Sequence, residues 1–474
     1  MKDDIRTDMC VIGAGSGGLS VAAGASQMGA DTVLIEGGKM GGDCLNYGCV
    51  PSKSLLAAGA VAQTMRDGEP FGIAASVPDV RFGQVHAHVH EVIAGIAPHD
   101  SVERFESLGV RVIQDYARFV APDRVQAGGK TIRARRFVVA TGSSPALPPI
   151  TGIEQVPVLT NETAFDLTEA PTHLIVIGGG PIGLEMAQAH RRLGCRVTVV
   201  EMVKALGADD PEMTAIVLDK LRAEGIDIRE NTGVRRLSAT DSGAAVTVGT
   251  AESETTIEGS HVLVAAGRRP NLERLDLHAA GIEHSAQGIV VDRRLRTSNR
   301  KVYAIGDVAG GLQFTHVAGY HAGIVIRNAL FRLPTKTGDK AVPWVTYTDP
   351  ELAHVGLNEA AARDRHGDTR VLRFPFAEND RARAERRTEG MIKAVTTKRG
   401  KILGATIVGL HAGELLLPWV LAIDRGLPIS AMATAIAPYP TLSEVSKRVA
   451  GSYYTDSLFS PRTRRLVKLL SIFG

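Results

Sequence analysis

A chain of 474 residues exceeds what one hydrophobic core organises, and at about 100 to 200 residues per domain it should hold about three domains. A net charge of +3, with no Arg/Lys cluster interleaved with aromatic residues, excludes a nucleic-acid-binding role, and no apolar run reaches the roughly 18 residues that read as a membrane span. Four cysteines are too few for a secreted disulfide framework, and Met1-Lys2-Asp3-Asp4 shows no leader pattern, so a cytoplasmic location is expected.

Residues 8–12, Asp-Met-Cys-Val-Ile, read as a buried strand, followed by the turn Gly13-Ala14-Gly15-Ser16-Gly17-Gly18 and a small-residue helix from Leu19 to Met28. The next strand, 32–35, runs into Glu36, 23 positions after Gly13. The unit returns as strand 174–177, the turn Gly178-Gly179-Gly180-Pro181-Ile182-Gly183, a helix through Leu193, strand 197–200 and Glu201, again 23 positions after its first glycine. In such turns the first glycine (Gly13, Gly178) permits the bend. The second (Gly15, Gly180) lets backbone N–H groups approach a pyrophosphate, and the third (Gly18, Gly183) lets helix pack on strand. The acid, at an offset of about 20, receives a ribose hydroxyl. One such motif is a weak signal; two in full β-α-β context imply two bound dinucleotides.

Between the two units, Phe137-Val138-Val139-Ala140-Thr141-Gly142 is a strand ending in a small-residue turn, followed by a proline-rich stretch from Pro145 to Pro149. Its counterpart is Val262-Leu263-Val264-Ala265-Ala266-Gly267 with Arg268-Arg269-Pro270-Asn271, so the second nucleotide unit is expected as an insertion in the first. Val302-Tyr303-Ala304-Ile305-Gly306-Asp307 reads as a short buried strand that delivers Asp307 at its carboxyl end, where open α/β sheets bind ligands. Asp307 is thus placed for a cofactor hydroxyl. Strand-like runs at 391–395 and 403–408 ahead of helical segments suggest a separate α+β domain from about residue 341.

The segment Gly41-Gly42-Asp43-Cys44-Leu45-Asn46-Tyr47-Gly48-Cys49-Val50-Pro51-Ser52-Lys53 is the most specific in the chain. Its cysteine spacing is not that of a zinc site, and no second Cys/His pair lies nearby to complete a tetrahedron, so no metal site is expected. A dithiol that cycles with a disulfide fits these residues better than two unrelated buried thiols.

Together these motifs resemble the flavoprotein disulfide reductases, the class that includes dihydrolipoamide dehydrogenase, glutathione reductase and mercuric reductase, and the resemblance covers essentially the whole chain. It implies two Rossmann-like dinucleotide-binding domains, one inserted in the other, plus a C-terminal α+β dimerisation domain. The expected boundaries are 1–149 with 271–340 for a central FAD-binding domain, 150–270 for the nicotinamide-binding domain and 341–474 for the interface domain. The first nucleotide site would hold FAD, drawing on Gly13, Gly15, Gly18, Glu36, Gly42, Lys53, Thr141, Gly142 and Asp307. The second would hold the nicotinamide cofactor at Gly178, Gly180, Gly183, Glu201 and Gly267. Two subunits would pair so that each completes the other's active site. By the same resemblance Cys49 is the flavin-side thiol, Cys44 the thiol that exchanges with substrate, and Lys53 and Glu185 pair near the reactive edge of the flavin. At Glu201 a carboxylate suits a free ribose 2′-hydroxyl and repels a 2′-phosphate, which favours NADH; Lys204 keeps NADPH as the lesser alternative.

The pattern departs from the family near the C-terminus. Disulfide-reducing members carry a His-Pro pair with a glutamate five residues after the histidine; here the chain reads Ala437-Pro438-Tyr439-Pro440-Thr441-Leu442-Ser443-Glu444. Glu444 aligns with the dyad glutamate and Tyr439 stands at the base's position. A phenol with an ordinary pKa of about 10 cannot take a proton at neutral pH as imidazole does, though it can donate or relay one. The expected activity is electron transfer from NADH through flavin and the Cys44–Cys49 disulfide to a small-molecule or protein disulfide, or a low-pKa thiol-type acceptor, that needs no histidine base. Mercuric reductase also has tyrosine in this region, making metal-ion reduction a rival. It delivers metal through a C-terminal cysteine pair, however, and no cysteine follows Cys195. A flavin redox sensor or electron-donating scaffold with little disulfide turnover is the alternative of another class.

Cys10 and Cys195 read as packing residues, and His316 as a hydrogen-bonded structural histidine. Arg381, Arg383, Arg386 and Arg387 read as a solvated face. Residues 460–473 set Arg462, Arg464, Arg465 and Lys468 among six large apolar residues. Packing on a dimer partner or a neighbouring helix is the simpler reading, and weak membrane-surface contact the alternative.

Overall fold

The computed structural model describes residues 4–250, 253–338 and 341–473. They form two compact units, Met1–Met202 with Arg229–Gly338, and Val203–Ile228 with Asp339–Gly474.

The first unit is built on a seven-stranded sheet. Val110–Gln114, Thr32–Glu36, Asp4–Ile12 and Lys130–Val139 lie side by side in parallel, and Val302–Ala304 pairs in parallel with the last of these. Arg124–Ala127 and Arg118–Ala121 continue the sheet in antiparallel pairing. Because helices and loops cover both faces, the end of the first strand is apolar on both sides. Cys10 and Ile12 join Phe119 and Phe137 in one core, while Met9 and Val11 join Leu34 and Val138 in the other. That second core includes Val21 and Ala22 of the helix Ser16–Gln27 and Ile324 and Val325 of the helix Thr315–Ala329. The first helix begins three residues before the expected Leu19, because Gly17 and Gly18 are already helical and Gly15 is the residue that ends the turn.

The duplication seen in the sequence is a duplication in space. His173–Ile177 lies in parallel between Arg196–Val200 and His261–Val264, with the helix Pro181–Arg192 joining the first two. Gly13 and Gly178 have φ of +103° and +115°, and an added Cβ would lie 2.4 Å from the carbonyl oxygen of Ala140 or Ala265 respectively. Both turns therefore pass directly over the strand end that follows. Gly18 and Gly183 touch their own turn so closely that a Cβ would fall 1.8 and 2.0 Å from the Gly13 and Gly178 carbonyl oxygens. An antiparallel three-stranded sheet of Gly233–Thr240, Gly243–Gly249 and Glu254–Gly259 completes the inserted part.

The second unit carries an antiparallel sheet in the order Pro343–Thr346, Glu351–Gly356, Ile402–Gly409, Met391–Thr397, Thr369–Pro375. Its core centres on fully buried Trp419, whose indole N–H donates to Ser446 Oγ at 3.0 Å. The helix Pro211–Ala223 belongs to this unit although it follows the second nucleotide motif in the chain. Lys393, only 4% exposed, reaches Asp210 at 2.8 Å, Glu212 at 2.8 Å and Glu359 at 2.7 Å, and Arg373 closes the cluster with a fork to Glu212 at 2.7 and 2.8 Å. Arg373, with help from Lys393, holds the Glu212 carboxyl down at about 2, against an ordinary 4.5. Burial alone would lower the Lys393 ammonium, but its bonds to the three carboxylates outweigh that and raise it.

Removing one partner of a buried ion cluster leaves uncompensated charge, so Lys393→Met should cost about 3 to 5 kcal/mol of stability in thermal or urea unfolding. Glu212 has a depressed folded-state value, so its contribution is complete above about pH 4.5 and fades as pH falls towards about 2. A Lys393→Met protein as stable as wild type would show that the cluster stabilises nothing.

Candidate active site

The cysteine segment lies on top of the first glycine turn. Gly41 N–H donates to the Ala14 carbonyl at 3.0 Å, and Gly42, at φ +61°, comes so near that an added Cβ would sit 2.7 Å from Gly15 Cα. Cys44 then falls in the short helix Gly42–Asn46, and Cys49 is the first residue of the helix Cys49–Arg66. A thiolate at a helix N-terminus faces the positive end of the dipole and the free N–H groups of the first turn. Lys53 follows one turn later in the same helix. Its Nζ sits 2.6 Å from Glu185 Oε2, with the carboxylate nearly buried, so the expected pair is formed.

The two thiols are unequal. The Cys44 thiol donates to Cys49, and with further help from the Thr315 hydroxyl and the Lys53 ammonium it brings Cys49 from an ordinary 9.0 down to about 6, against the opposing effect of burial. Cys44 is pushed well above its ordinary value, first by that same bond and then by burial. Thr315 Oγ1 lies 3.5 Å from Cys49 Sγ and opens the helix Thr315–Ala329, so the first residues of two helices meet at one sulfur. Cys10 and Cys195 are buried elsewhere, Cys195 pushed up to about 11 by burial, and neither joins this cluster.

A chain of polar contacts runs from the cysteine segment to Asp307. Asp43 Oδ1 accepts from Asn161 Nδ2 at 2.9 Å and pairs with Arg268 at 3.0 Å. Arg268 Nε donates to Ser143 Oγ at 2.8 Å, and Ser143 Oγ donates to Asp307 Oδ2 at 2.6 Å. Burial raises the Asp307 carboxyl, while Ser143 and Arg268 draw it partly back. Thr141 and Gly142 are tied to the second crossing segment: Thr141 Oγ1 donates to the Asn271 carbonyl at 2.9 Å, and Asn271 N–H to the Gly142 carbonyl at 3.0 Å. Gly267 precedes Arg268 at φ +130°. Sequence reasoning missed Thr315, Ser143 and Asn161 and assigned no role to Asp43 or Arg268. The only available signal was adjacency, Thr315 to His316 and Arg268 to Gly267.

Tyr439 and Glu444 belong to the second unit. Tyr439 is 69% exposed and its hydroxyl donates to Asp380 Oδ2 at 3.1 Å. Asp380 first, and Glu444 more weakly, push the phenol above its ordinary value. The tyrosine is thus still less able to act as a base than its residue type implies.

Comparison with known proteins was decisive for the family. Residues 7–322 match the pyridine nucleotide-disulphide oxidoreductase family, and residues 342–450 match its dimerisation domain. The chain belongs to this family. It is 33% identical to mercuric reductase of Staphylococcus aureus, over 95% of this chain and 83% of that protein. It is 34% identical to dihydrolipoyl dehydrogenase of Geobacillus stearothermophilus, over 94% of this chain and 96% of that one. A Cu(II) complex of the HOCl-induced flavoprotein disulfide reductase RclA from Escherichia coli superposes with a TM-score of 0.84 at 29% identity, covering 94% of this chain and 99% of RclA. The pyridine nucleotide-disulphide oxidoreductase fold, mixed α/β with a dimerisation domain, is therefore present. Membership makes the chain an oxidoreductase that uses FAD and NAD(P)H, and the dimerisation-domain match supports a homodimer. No helix among the described residues is long and apolar enough to cross a membrane, and none of their His/Cys/Asp/Glu groups could hold a metal ion.

The residues fit two dinucleotides. Both motif helices start at a glycine in extended conformation, Gly15 and Gly180, with no side chain capping the first turn, so their N–H groups remain free for phosphate oxygens. The acids end their strands over these turns: Glu36 Oε2 accepts from Ala14 N–H at 2.5 Å, and Glu201 Oε2 from Gly179 N–H at 2.7 Å. An added Cβ at Gly180 would meet open space, whereas Gly15 faces the Cys44 segment.

In reduced protein labelled with cysteine 13Cβ, the Cys49 resonance should titrate near pH 6, while Cys44 stays protonated beyond pH 9. Thr315→Val should raise the Cys49 midpoint, and Thr315→Ser should restore it. A Cys49 that titrates at an ordinary thiol value, or ignores Thr315→Val, contradicts this geometry.

Proposed function

We propose that this enzyme takes electrons from NADH and delivers them, through the Cys44–Cys49 couple, to a disulfide whose thiols leave easily, either a small molecule or a protein. Bound FAD supplies the two-electron link between nicotinamide and disulfide. The observation that carries the reading is the unequal pair, with Cys49 held as thiolate beside Thr315 and Lys53 and Cys44 held as thiol.

In turnover, Cys44 gives up its proton, and its sulfur bonds to one acceptor sulfur as the acceptor S–S bond breaks and the first thiol departs. Cys49 thiolate then attacks Cys44, the mixed disulfide opens, the second thiol departs, and the Cys44–Cys49 bond is restored. Two electrons have passed to the acceptor, with one proton from Cys44; because Cys49 starts as thiolate, the second proton comes from solvent. Exchange is fastest when the leaving thiol has a low pKa, and that preference is sharpest where no strong base helps Cys44. Tyr439, with its phenol raised by Asp380, is no such base. We read 150–270 as the nicotinamide domain, with Glu201 receiving the ribose 2′-hydroxyl; the next two residues, Met202 and Val203, supply no cation for a 2′-phosphate.

Likeness to mercuric reductase favours metal-ion reduction as a second reading. Against it, residues 196–474 contain no cysteine to pass a soft metal towards Cys44.

The test is steady-state turnover with NADH or NADPH against lipoamide, an activated aromatic disulfide and Hg(II). NADH with the activated disulfide should be the best pair, Cys44→Ser should abolish disulfide turnover, and Tyr439→His should raise lipoamide reduction by about a hundredfold, at the low end of what a general base supplies. If Cys44→Ser leaves disulfide turnover intact and Tyr439→His changes nothing, the proposal fails. Faster NADH oxidation with Hg(II) than with any disulfide would favour the second reading.

A further inference from the structure

The helix Pro461–Leu470 has an unusual combination of order and exposure. Its start is well defined: Ser460 Oγ accepts from Thr463 N–H at 3.2 Å, Thr463 Oγ1 donates to the Ser457 carbonyl at 2.7 Å, and proline occupies the first helical position. Yet none of its residues is buried, and Leu466, Val467, Leu469 and Leu470 are each more than half exposed. Ile472 and Phe473 just beyond it are more exposed still, at 74% and 83%. Of the simpler expectation from sequence, packing on a dimer partner or a neighbouring helix, the second does not occur among the described residues.

At about 100° per residue, Leu466, Leu469 and Leu470 fall on one face, with Arg462 at its N-terminal end, and Arg464, Arg465 and Lys468 on the other. No acidic residue lies between 461 and 473. A helix this short is marginal in water unless an apolar phase receives its face. The matched dimerisation domain ends at residue 450, before the helix begins. Face-to-face pairing with a second copy of the helix would bring two sets of cations together without an anion. A surface that is apolar beneath and anionic above satisfies both faces at once.

We propose that Pro461–Leu470 docks this enzyme on an anionic lipid surface, lying in the plane of the interface with Leu466, Leu469 and Leu470 inserted and Arg464, Arg465 and Lys468 among the headgroups. The contact is peripheral. It needs no spanning segment.

The experiment is co-sedimentation of the full-length holoenzyme with vesicles of phosphatidylcholine alone or of phosphatidylcholine with phosphatidylglycerol. Wild type should pellet with the anionic vesicles at least tenfold more than with the neutral ones, and salt should release it. Deletion of 460–474 and the double variant Leu466→Asp, Leu470→Asp should both remain in the supernatant, with dimer mass by light scattering and NADH-dependent turnover of a soluble acceptor unchanged. The proposal is overturned if wild type ignores anionic vesicles, or binds both kinds alike. It is equally overturned if the double variant pellets like wild type or becomes monomeric, the last result showing that a partner subunit covers the face. The double variant keeps the test decisive should the deletion misfold.

Discussion

Everything chemical in the first unit depends on the unequal electrostatics of Cys44 and Cys49, set where the helices Cys49–Arg66 and Thr315–Ala329 begin. One negative charge is shared unequally between two sulfurs: the Thr315 hydroxyl lowers both, but Cys49 also opens an 18-residue helix and has the Lys53 ammonium on its side. The asymmetry makes a dithiol into a directional device, since the sulfur that keeps the charge and the sulfur that meets the acceptor are set by the fold. Its consequence is that Cys44, held as thiol, is a reluctant nucleophile.

The fold serves that point through close backbone approaches. Gly42 against Gly15 brings the cysteine segment down onto the phosphate-binding turn, and no side chain could separate them without breaking the contact. The run Asp43, Arg268, Ser143, Asp307 then couples that segment to the strand ends on the far side of the turn. The glycine turn and the cysteine segment are held together by the same few contacts.

Local patterns were readable from the sequence because their causes are local. Both glycine turns, their strands and the acids at their ends follow from spacing, and both turns form, with Gly15 and Gly180 as the residues that cap their helices. What escaped was long-range. Thr315 meets Cys49 across 266 positions, Arg268 reaches Ser143 across 125, and Lys393 reaches Asp210 across 183. No periodicity encodes such meetings; only the packed sheet order does. The helix Pro211–Ala223 is instructive in the same way. Chain order places it with the nicotinamide motif, but buried Lys393 and its carboxylates tie it to the antiparallel sheet.

The account rests on Cys44 and Cys49 forming a reversible two-electron store. The most direct measurement is peptide mapping by mass spectrometry under non-reducing conditions, before and after one equivalent of NADH is added anaerobically. Before addition the two cysteines should appear in a single disulfide-linked species, and afterwards as two free thiols, with Cys10 and Cys195 unchanged. Two free thiols before addition, or a bond that NADH leaves closed, would contradict it.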